Sequence, residues 1–255
     1  MSLSTLKSRQ VDATATIHPT AVIEDGVVIG AKCQIGAFAV IGRGTKMGPE
    51  NIVHSYAHVG SAPQVLGPQH TAGTLEIGRN NQFFQGCSVS VGPDNAQSAT
   101  RIGDHNLLMA SVHVGHDAQI GHRNTIANHS SLAGHVELSD EVTIGGYVGV
   151  HQFVRMGRYA FVAARSMVSQ DVPPFGFVAG DRATLIGINR KGIHRAAFST
   201  LETKAIIRSF RHHFGRSAQT GEKDERWSIL FESFLKNSSR GVLTRAKGKL
   251  STQLS

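Results

Sequence analysis

Three stretches, VHVGHDAQIGHRN, LAGHVEL and VGVHQFV, carry His113, His116, His135 and His151, four of the fourteen histidines in this 255-residue chain. Histidine has an ordinary pKa near 6.5, so it can take or give a proton at neutral pH and serve as a general base. Asp117 follows His116 directly and offers a carboxylate to orient the imidazole or stabilise its charged form, as the third group of a triad does. His116 and His135 are nineteen residues apart, and His135 and His151 sixteen. In a chain that winds once in about eighteen residues, these three lie near one edge on successive coils. His113 falls one corner earlier and Asn128 two-thirds of a coil further on. A lone histidine here reads as a solvated corner residue. Three stacked beside an asparagine point to acid–base chemistry.

What winds the chain is a strict period of six. Isoleucine occupies positions 17, 23, 29, 35 and 41. The register passes through Met47, Val53 and Val59, returns at Ile77, Phe83 and Val89, and runs from Ile102 to Val168. A helix repeats near 3.6 and a half-buried strand at 2, so neither alone yields six. The second hexad position is often Gly or Ala, and the fifth is small or β-branched, as in Ala21, Val27, Cys33 and Ala39. These are hexapeptide repeats of a parallel β-solenoid, in which three hexads make one triangular coil and each flat strand turns one large aliphatic inward. Nearby glycines are expected to let the backbone turn its corners.

Composition agrees. Aromatics are only 6% and glycines number 28, which suits a narrow prism filled by Ile and Val. Cys33 and Cys87 form no CxxC pattern and are expected as small core residues of a reducing compartment. No apolar run reaches the length of a membrane span, and residues 1–15 contain no signal-like stretch, so a cytoplasmic protein without stable membrane insertion is expected. The net charge of +8 invites a nucleic-acid reading, but the cations concentrate after Arg182 and do not alternate with aromatics. No nucleic-acid partner is expected; an acidic protein or a phosphorylated substrate fits better.

The register breaks at 61–76 and 92–101, and such insertions become loops projecting from a solenoid. The chain divides into a lead over 1–15, a β-helix over 16–186 and a helical domain over 187–255. In that last part Leu201, Ala205, Ile206, Ser209 and Phe210 share one helical face, Ser199 and Glu202 form a capping box, and a second helix covers Glu225 to Leu235. The final RAKGKLSTQLS reads as a frayed basic tail.

Across nearly its whole length, through IHPTAVIEDG, DHNLLMASVHVGHD, LAGHV, VHQF and QDVPP, the sequence resembles the acyl-ACP–UDP-N-acetylglucosamine O-acyltransferase family of lipid A synthesis. The resemblance implies a left-handed β-helix, a homotrimer with active sites between subunits, and two partners, acyl carrier protein and a UDP-sugar. It also implies roles. His116 would be the general base that deprotonates the sugar 3-hydroxyl for attack on a (3R)-hydroxyacyl thioester, Asp117 would hold it, and the Gly134 N–H would stabilise the oxyanion. His113, Asn128, His135, His151 and Gln152 would position sugar, diphosphate and acyl chain, and Arg195 would meet phosphate from a neighbouring subunit. Ala164 would end the acyl groove, which implies a donor of ten to twelve carbons. No metal and no free cofactor are implied, because the acyl group arrives on the carrier's phosphopantetheine.

The sequence departs from the family where nucleotide sugar is bound. Pro63, Gln64, Val65 and Leu66 stand where the family has Asn-Gln-Asp-Leu, Ser88 to Gly92 replace Thr-Ile-His-Arg-Gly, and Ala196 follows Arg195 in place of a second arginine. This keeps open a paralogue that acylates a different sugar nucleotide, for instance a 3-amino sugar. The alternative class is a zinc protein like the hexapeptide-repeat carbonic anhydrases. That site needs a histidine pair about five residues apart, and HVGH spaces its pair by three.

Overall fold

The computed structural model describes residues 9–66, 73–93, 99–215 and 224–245. Strands mostly two residues long stack into three parallel sheets that form the faces of a prism, a left-handed β-helix. The first face runs from Gln10–Val11 to Arg155–Met156, the second from Thr16–Ile17 to Phe161–Val162, and the third from Val22–Ile23 to Met167–Val168. The first strand therefore begins inside the segment read as a lead. Each coil bonds its backbone to the next, as in Ser131 N–H to the Val148 carbonyl at 2.8 Å and Gly149 N–H to that of Ser166 at 3.0 Å.

The hexad aliphatics fill the interior: Ile29, Ile41, Leu108, Ile126, Leu132 and Ile144 are all buried, with Val27, Cys33, Ala39 and Cys87 beside them. Burial without a partner charge pushes the Cys87 thiol up to about 12, so it is an inert core atom. The small second position has a steric cause. A Cβ on Gly115 would stand 2.7 Å from the Ala133 carbonyl carbon of the next coil.

Corner turning proceeds differently from the glycine expectation. The residue three before most of the inward aliphatics takes a left-handed φ, and it is usually not glycine: Glu50, Ser111, Asp117, His129, His135 and Tyr147 all have φ between 58° and 61°. Each such residue costs about 1–2 kcal/mol, which the hydrogen bonds and packing of adjoining coils must offset.

A second feature escapes the hexad pattern. At the corner between first and second faces the fifth position is asparagine on successive coils: Asn51, Asn81, Asn106 and Asn124, each no more than 1% exposed. They form a ladder inside the rod. Asn106 donates from Nδ2 and from its backbone N–H to Asn81 Oδ1 at 3.0 and 2.8 Å, and its own Oδ1 accepts the Asn124 N–H at 2.9 Å. The ladder ends where Asn124 Oδ1 accepts the Val142 N–H at 2.7 Å.

The two insertions lie between Ser61 and Thr74 and between Ser90 and Ala99, and residues 67–72 and 94–98 fall outside the described residues, as does most of the basic tail. After the last hexad, Gly176–Ala179 extends the second face and Thr184–Ile188 returns antiparallel to it, an unforeseen hairpin. Three helices follow: α1 (Arg190–Arg195), α2 (Thr200–Phe214) and α3 (Glu225–Lys236). The capping box at Ser199 is present, with Glu202 N–H donating to Ser199 Oγ and Ser199 N–H to the Glu202 carboxylate. The buried stripe of α2 is Ile206, Ser209, Phe210 and Phe214, whereas Leu201 is 79% exposed. At about 100° per residue Leu201 lies some 140° round the helix from Ile206, off the stripe to which the sequence assigned it. Phe175 joins helices to rod, with its ring 5.7 Å from Trp227 and 6.3 Å from Phe231. Among the described residues no helix is long and apolar enough to cross a membrane.

The ladder generates a prediction. Asn106→Ala leaves the Asn124 N–H without its buried acceptor, and such an orphan costs about 1–3 kcal/mol. Urea unfolding should show stability lower by that amount, as a lower midpoint with an unchanged slope.

Candidate active site

His116 sits in the corner turn after strand His113–Val114, where the chain passes from third to first face. Its Nδ1 is 2.6 Å from Asp117 Oδ2, and the two side chains are only 12% and 8% exposed. Asp117 has the left-handed corner conformation, and its backbone N–H donates to the buried Thr100 Oγ1 at 2.9 Å. With Nδ1–H donated to the carboxylate, Nε2 is the lone-pair nitrogen. One coil on, Gly134 occupies the equivalent place to His116. A Cβ there would stand 2.6 Å from His116 Nε2, so glycine is what allows the imidazole to lie over the next coil. Among the described residues the Gly134 N–H donates to no backbone carbonyl. The Nε2 nitrogen thus lies against a residue whose backbone N–H is not spent on the bonds between coils.

His135 comes from the same coil as Gly134. Its Nε2 is 3.6 Å from Asp117 Oδ2, its ring meets that of His116 edge-on at 5.0 Å, and it stacks on Phe153 at 4.7 Å. His113 points outward from the third face, with Nδ1 2.8 Å from Ser88 Oγ. Burial lowers its pKa, so it is neutral at pH 7 with Nε2 left for a ligand. His151 and Gln152 stand one coil beyond Gly134.

His113, His116, Gly134, His151 and Gln152 line a cleft of about 460 Å³ on the third face, together with Ser131, Gly149 and Met167. His116 also lines a second cleft of about 510 Å³, on the first face, with Asp117, His135, Arg101 and Arg155. The imidazole therefore sits on the ridge between a largely apolar trough and a charged one. In the latter, Arg101 pairs with Glu76 and Arg155 with Glu137, each at 3.1 Å.

The structure brings together His113, His116, Asp117, Gly134, His135, His151 and Gln152. It does not bring in the other three expected residues. Asn128 and Ala164 lie in turns between second and third faces, the next corner of the prism, and Arg195 on α1 donates to Thr143 Oγ1 of the second face at 3.2 Å. Sequence reasoning missed Ser131 and Gly149, although their signal is plain once the coil length is known: 113, 131, 149 and 167 share one outward column. Ligating atoms of His116, Asp117 and His135 lie within 4.8 Å of one another, a cluster that could suggest zinc. The donor spacing argues otherwise. Two ligands of one tetrahedral zinc at about 2.0–2.1 Å lie roughly 3.3 Å apart, and the 2.6 Å between Nδ1 and Oδ2 is a hydrogen bond.

A prism of hexapeptide coils with a carboxylate-held histidine over a neighbouring glycine defines an acyltransferase of the hexapeptide class. Residues 99–134 match the bacterial transferase hexapeptide family, and residues 171–243 match UDP N-acetylglucosamine O-acyltransferase, domain 2. The chain is 37% identical over 213 residues to the acyl-ACP–UDP-N-acetylglucosamine O-acyltransferase of Herminiimonas arsenicoxydans, covering 76% of this chain and 81% of that protein. It is 36% identical to that of a Sulfurovum species, covering 89% and 97%. The solved UDP-N-acetylglucosamine O-acyltransferase of Moraxella catarrhalis superposes with a TM-score of 0.74 at 32% identity, over 92% of this chain and 98% of that one. This chain belongs to the acyl-ACP–UDP-N-acetylglucosamine O-acyltransferase family.

The Gly134 contact yields a test. Gly134→Ala must push the His116 ring off its Asp117 hydrogen bond, and a displacement near 1 Å costs about 10²-fold in rate. Turnover should fall by about that factor while the thermal midpoint stays close to wild type; undiminished turnover would show that the ring does not work from this position.

Proposed function

We propose that the protein transfers a (3R)-hydroxyacyl group from acyl carrier protein to the 3-hydroxyl of UDP-N-acetylglucosamine, the first step of lipid A biosynthesis. The observation that carries this reading is the His116 imidazole, bonded to Asp117 through Nδ1 and lying against Gly134 of the next coil. His116 Nε2 accepts the proton of the sugar 3-hydroxyl as its oxygen attacks the thioester carbonyl. The tetrahedral oxyanion accepts a hydrogen bond from the Gly134 N–H, which gains strength as the charge develops. Collapse expels the pantetheine thiolate, which takes the proton back from the imidazolium. The products are the ester and the carrier's free thiol, with His116 neutral again. Asp117 keeps Nδ1 protonated and compensates the transient cation.

His113, His135, His151 and Gln152 surround this point as polar groups for the sugar and the acyl group. The homotrimer supplies the remainder: Asn128, Ala164 and Arg195, on another corner and face of the same chain, come to each cleft from a neighbouring subunit. No free cofactor is required. For the carrier, α2 offers an exposed stripe of Lys204, Arg208 and Arg211, complementary to an acidic partner.

His116→Ala should lower turnover by about two to four orders of magnitude, the usual worth of a positioned base, with the rod still folded; retention of activity would sink the assignment. Supplying hydroxyacyl carrier protein with a panel of UDP-sugars should show UDP-N-acetylglucosamine acylated at oxygen, and preference for a 3-amino sugar would replace this acceptor. Affinity for the carrier should fall as salt shortens the Debye length below about 8 Å; a salt-independent affinity would exclude docking through the α2 stripe.

A further inference from the structure

His116 and Asp117 are neighbours in sequence, and in an extended strand neighbouring side chains point to opposite faces. They meet because the chain turns its corner at Asp117, with φ at 59°, so the 2.6 Å bond from Nδ1 to Oδ2 is only as steady as that peptide. At the next two corners of the same edge the equivalent N–H groups, of His135 and Phe153, donate to the backbone carbonyls of His116 and Gly134, nineteen residues back. The residue nineteen before Asp117 is 98, which belongs to the second insertion and lies outside the described residues. The Asp117 N–H donates to a side chain, Thr100 Oγ1, at 2.9 Å. Its carbonyl is held by another: Gln119 Nε2 donates to it at 3.2 Å and to the Ala99 carbonyl at 2.7 Å.

The Thr100 hydroxyl stands in an otherwise packing-driven column. At this register the inward residues of the first face are Thr45, Leu75, Thr100, Ala118, Val136 and Val154, each fully buried. Leucine, alanine and valine fill the position, and among the described residues Thr45 Oγ1 has no partner at all, so the fold asks no hydroxyl of it. At Thr100 the hydroxyl has a specific task.

We propose that Thr100 and Gln119 are positioning residues, which hold the Asp117 peptide at its N–H and its carbonyl and, through it, the carboxylate that orients His116. Neither touches a reacting atom. The inference rests on the reading of His116 as the base. It also ties that base to the second insertion, because Thr100 and the Ala99 carbonyl that anchors Gln119 both lie on strand Ala99–Ile102, where the insertion returns to the rod. Valine at position 100 keeps the shape of the side chain but leaves the Asp117 N–H without this acceptor. The corner then relaxes toward other partners, and Oδ2 moves away from Nδ1.

The test measures turnover of hydroxyacyl carrier protein and UDP-N-acetylglucosamine by Thr100→Val, Thr100→Ser, Gln119→Leu and, as a control at the same register, Thr45→Val. A misplacement of up to 1 Å costs up to about 10²-fold, so Thr100→Val should lower kcat by about ten- to a hundred-fold. KM for both substrates should stay within about two-fold, because the loss falls on the transition state. Thr100→Ser should restore most of the rate, Gln119→Leu should cost about two- to ten-fold, the worth of one neutral hydrogen bond, and Thr45→Val should match wild type. Proton NMR of the protein with nitrogen-labelled histidine reads the contact directly. The Nδ1 proton of His116, assigned by its loss in His116→Ala, should lie far downfield in wild type and Thr100→Ser and move upfield in Thr100→Val. An unmoved resonance in Thr100→Val overturns the proposal, and so does a rate that Thr100→Ser restores no better than valine does. A moved resonance with undiminished turnover would keep the hold on Asp117 and remove His116 from the chemistry, so the two readings fail separately. If thermal melting shows Thr100→Val unfolded, the resonance and rate of Gln119→Leu decide.

Discussion

Everything in this molecule depends on the spacing of stacked coils. Backbone N–H and carbonyl groups of one coil are satisfied by the next at about 4.8 Å, and no side chain can widen that gap without breaking bonds on all three faces. The second hexad position is small because the neighbouring coil's backbone lies where a Cβ would go. The inward aliphatics repeat because each coil presents the same floor to the one above. The left-handed corners are paid for collectively, and for that reason polar and aromatic residues occupy them as readily as glycine.

The same constraint builds the active site. No single coil contains it. His116 and Asp117 come from one coil, Gly134 and His135 from the next, and His151 and Gln152 from a third, so the geometry among them is set by the stacking distance and corner alignment. The left-handed φ of Asp117 and His135 is accordingly a property of the fold and not strain stored for catalysis, since Glu50 and Tyr147 share it far from the cleft. Holding the proposed base and oxyanion donor on separately anchored coils would leave little to reorganise as charge develops, which is the condition under which such donors are most effective.

Much of this was legible in the sequence because a rigid period turns residue numbers into positions. The hexad identified the core, and division by eighteen put His116, His135 and His151 on one edge even though their spacings are nineteen and sixteen. What stayed hidden did not repeat in hydrophobicity. The asparagine ladder uses a polar residue at a core position, which only its stack of mutual hydrogen bonds explains. Met167 and Gly149 carry no chemistry to attract notice, and their meaning comes from the cleft they share. Leu201 was misassigned because α2 buries a narrow stripe against its neighbours, and its first-turn apolar residue lies off that stripe. The short helix α1 and the hairpin before it follow the last hexad, where the period no longer informs.

The division of the site between corners bears on assembly. Seven of the expected residues gather at the corner between third and first faces; Asn128, Ala164 and Arg195 belong to the second face and its junction with the third. A triangular rod cannot fold one corner onto another, so these groups can meet only if a second rod brings its second face against the first rod's third face. The corner between those faces carries exposed aromatic rings in pairs: Phe38 on Tyr56 at 5.3 Å and His129 on Tyr147 at 4.8 Å, with Phe38, Tyr56 and Tyr147 each more than half exposed. Apolar rings stacked along an edge of a single rod are surface that water disfavours. Three rods around a common axis would cover that edge and form three identical clefts in the same step, so the proposed trimer would link burial of the aromatic column to completion of each site.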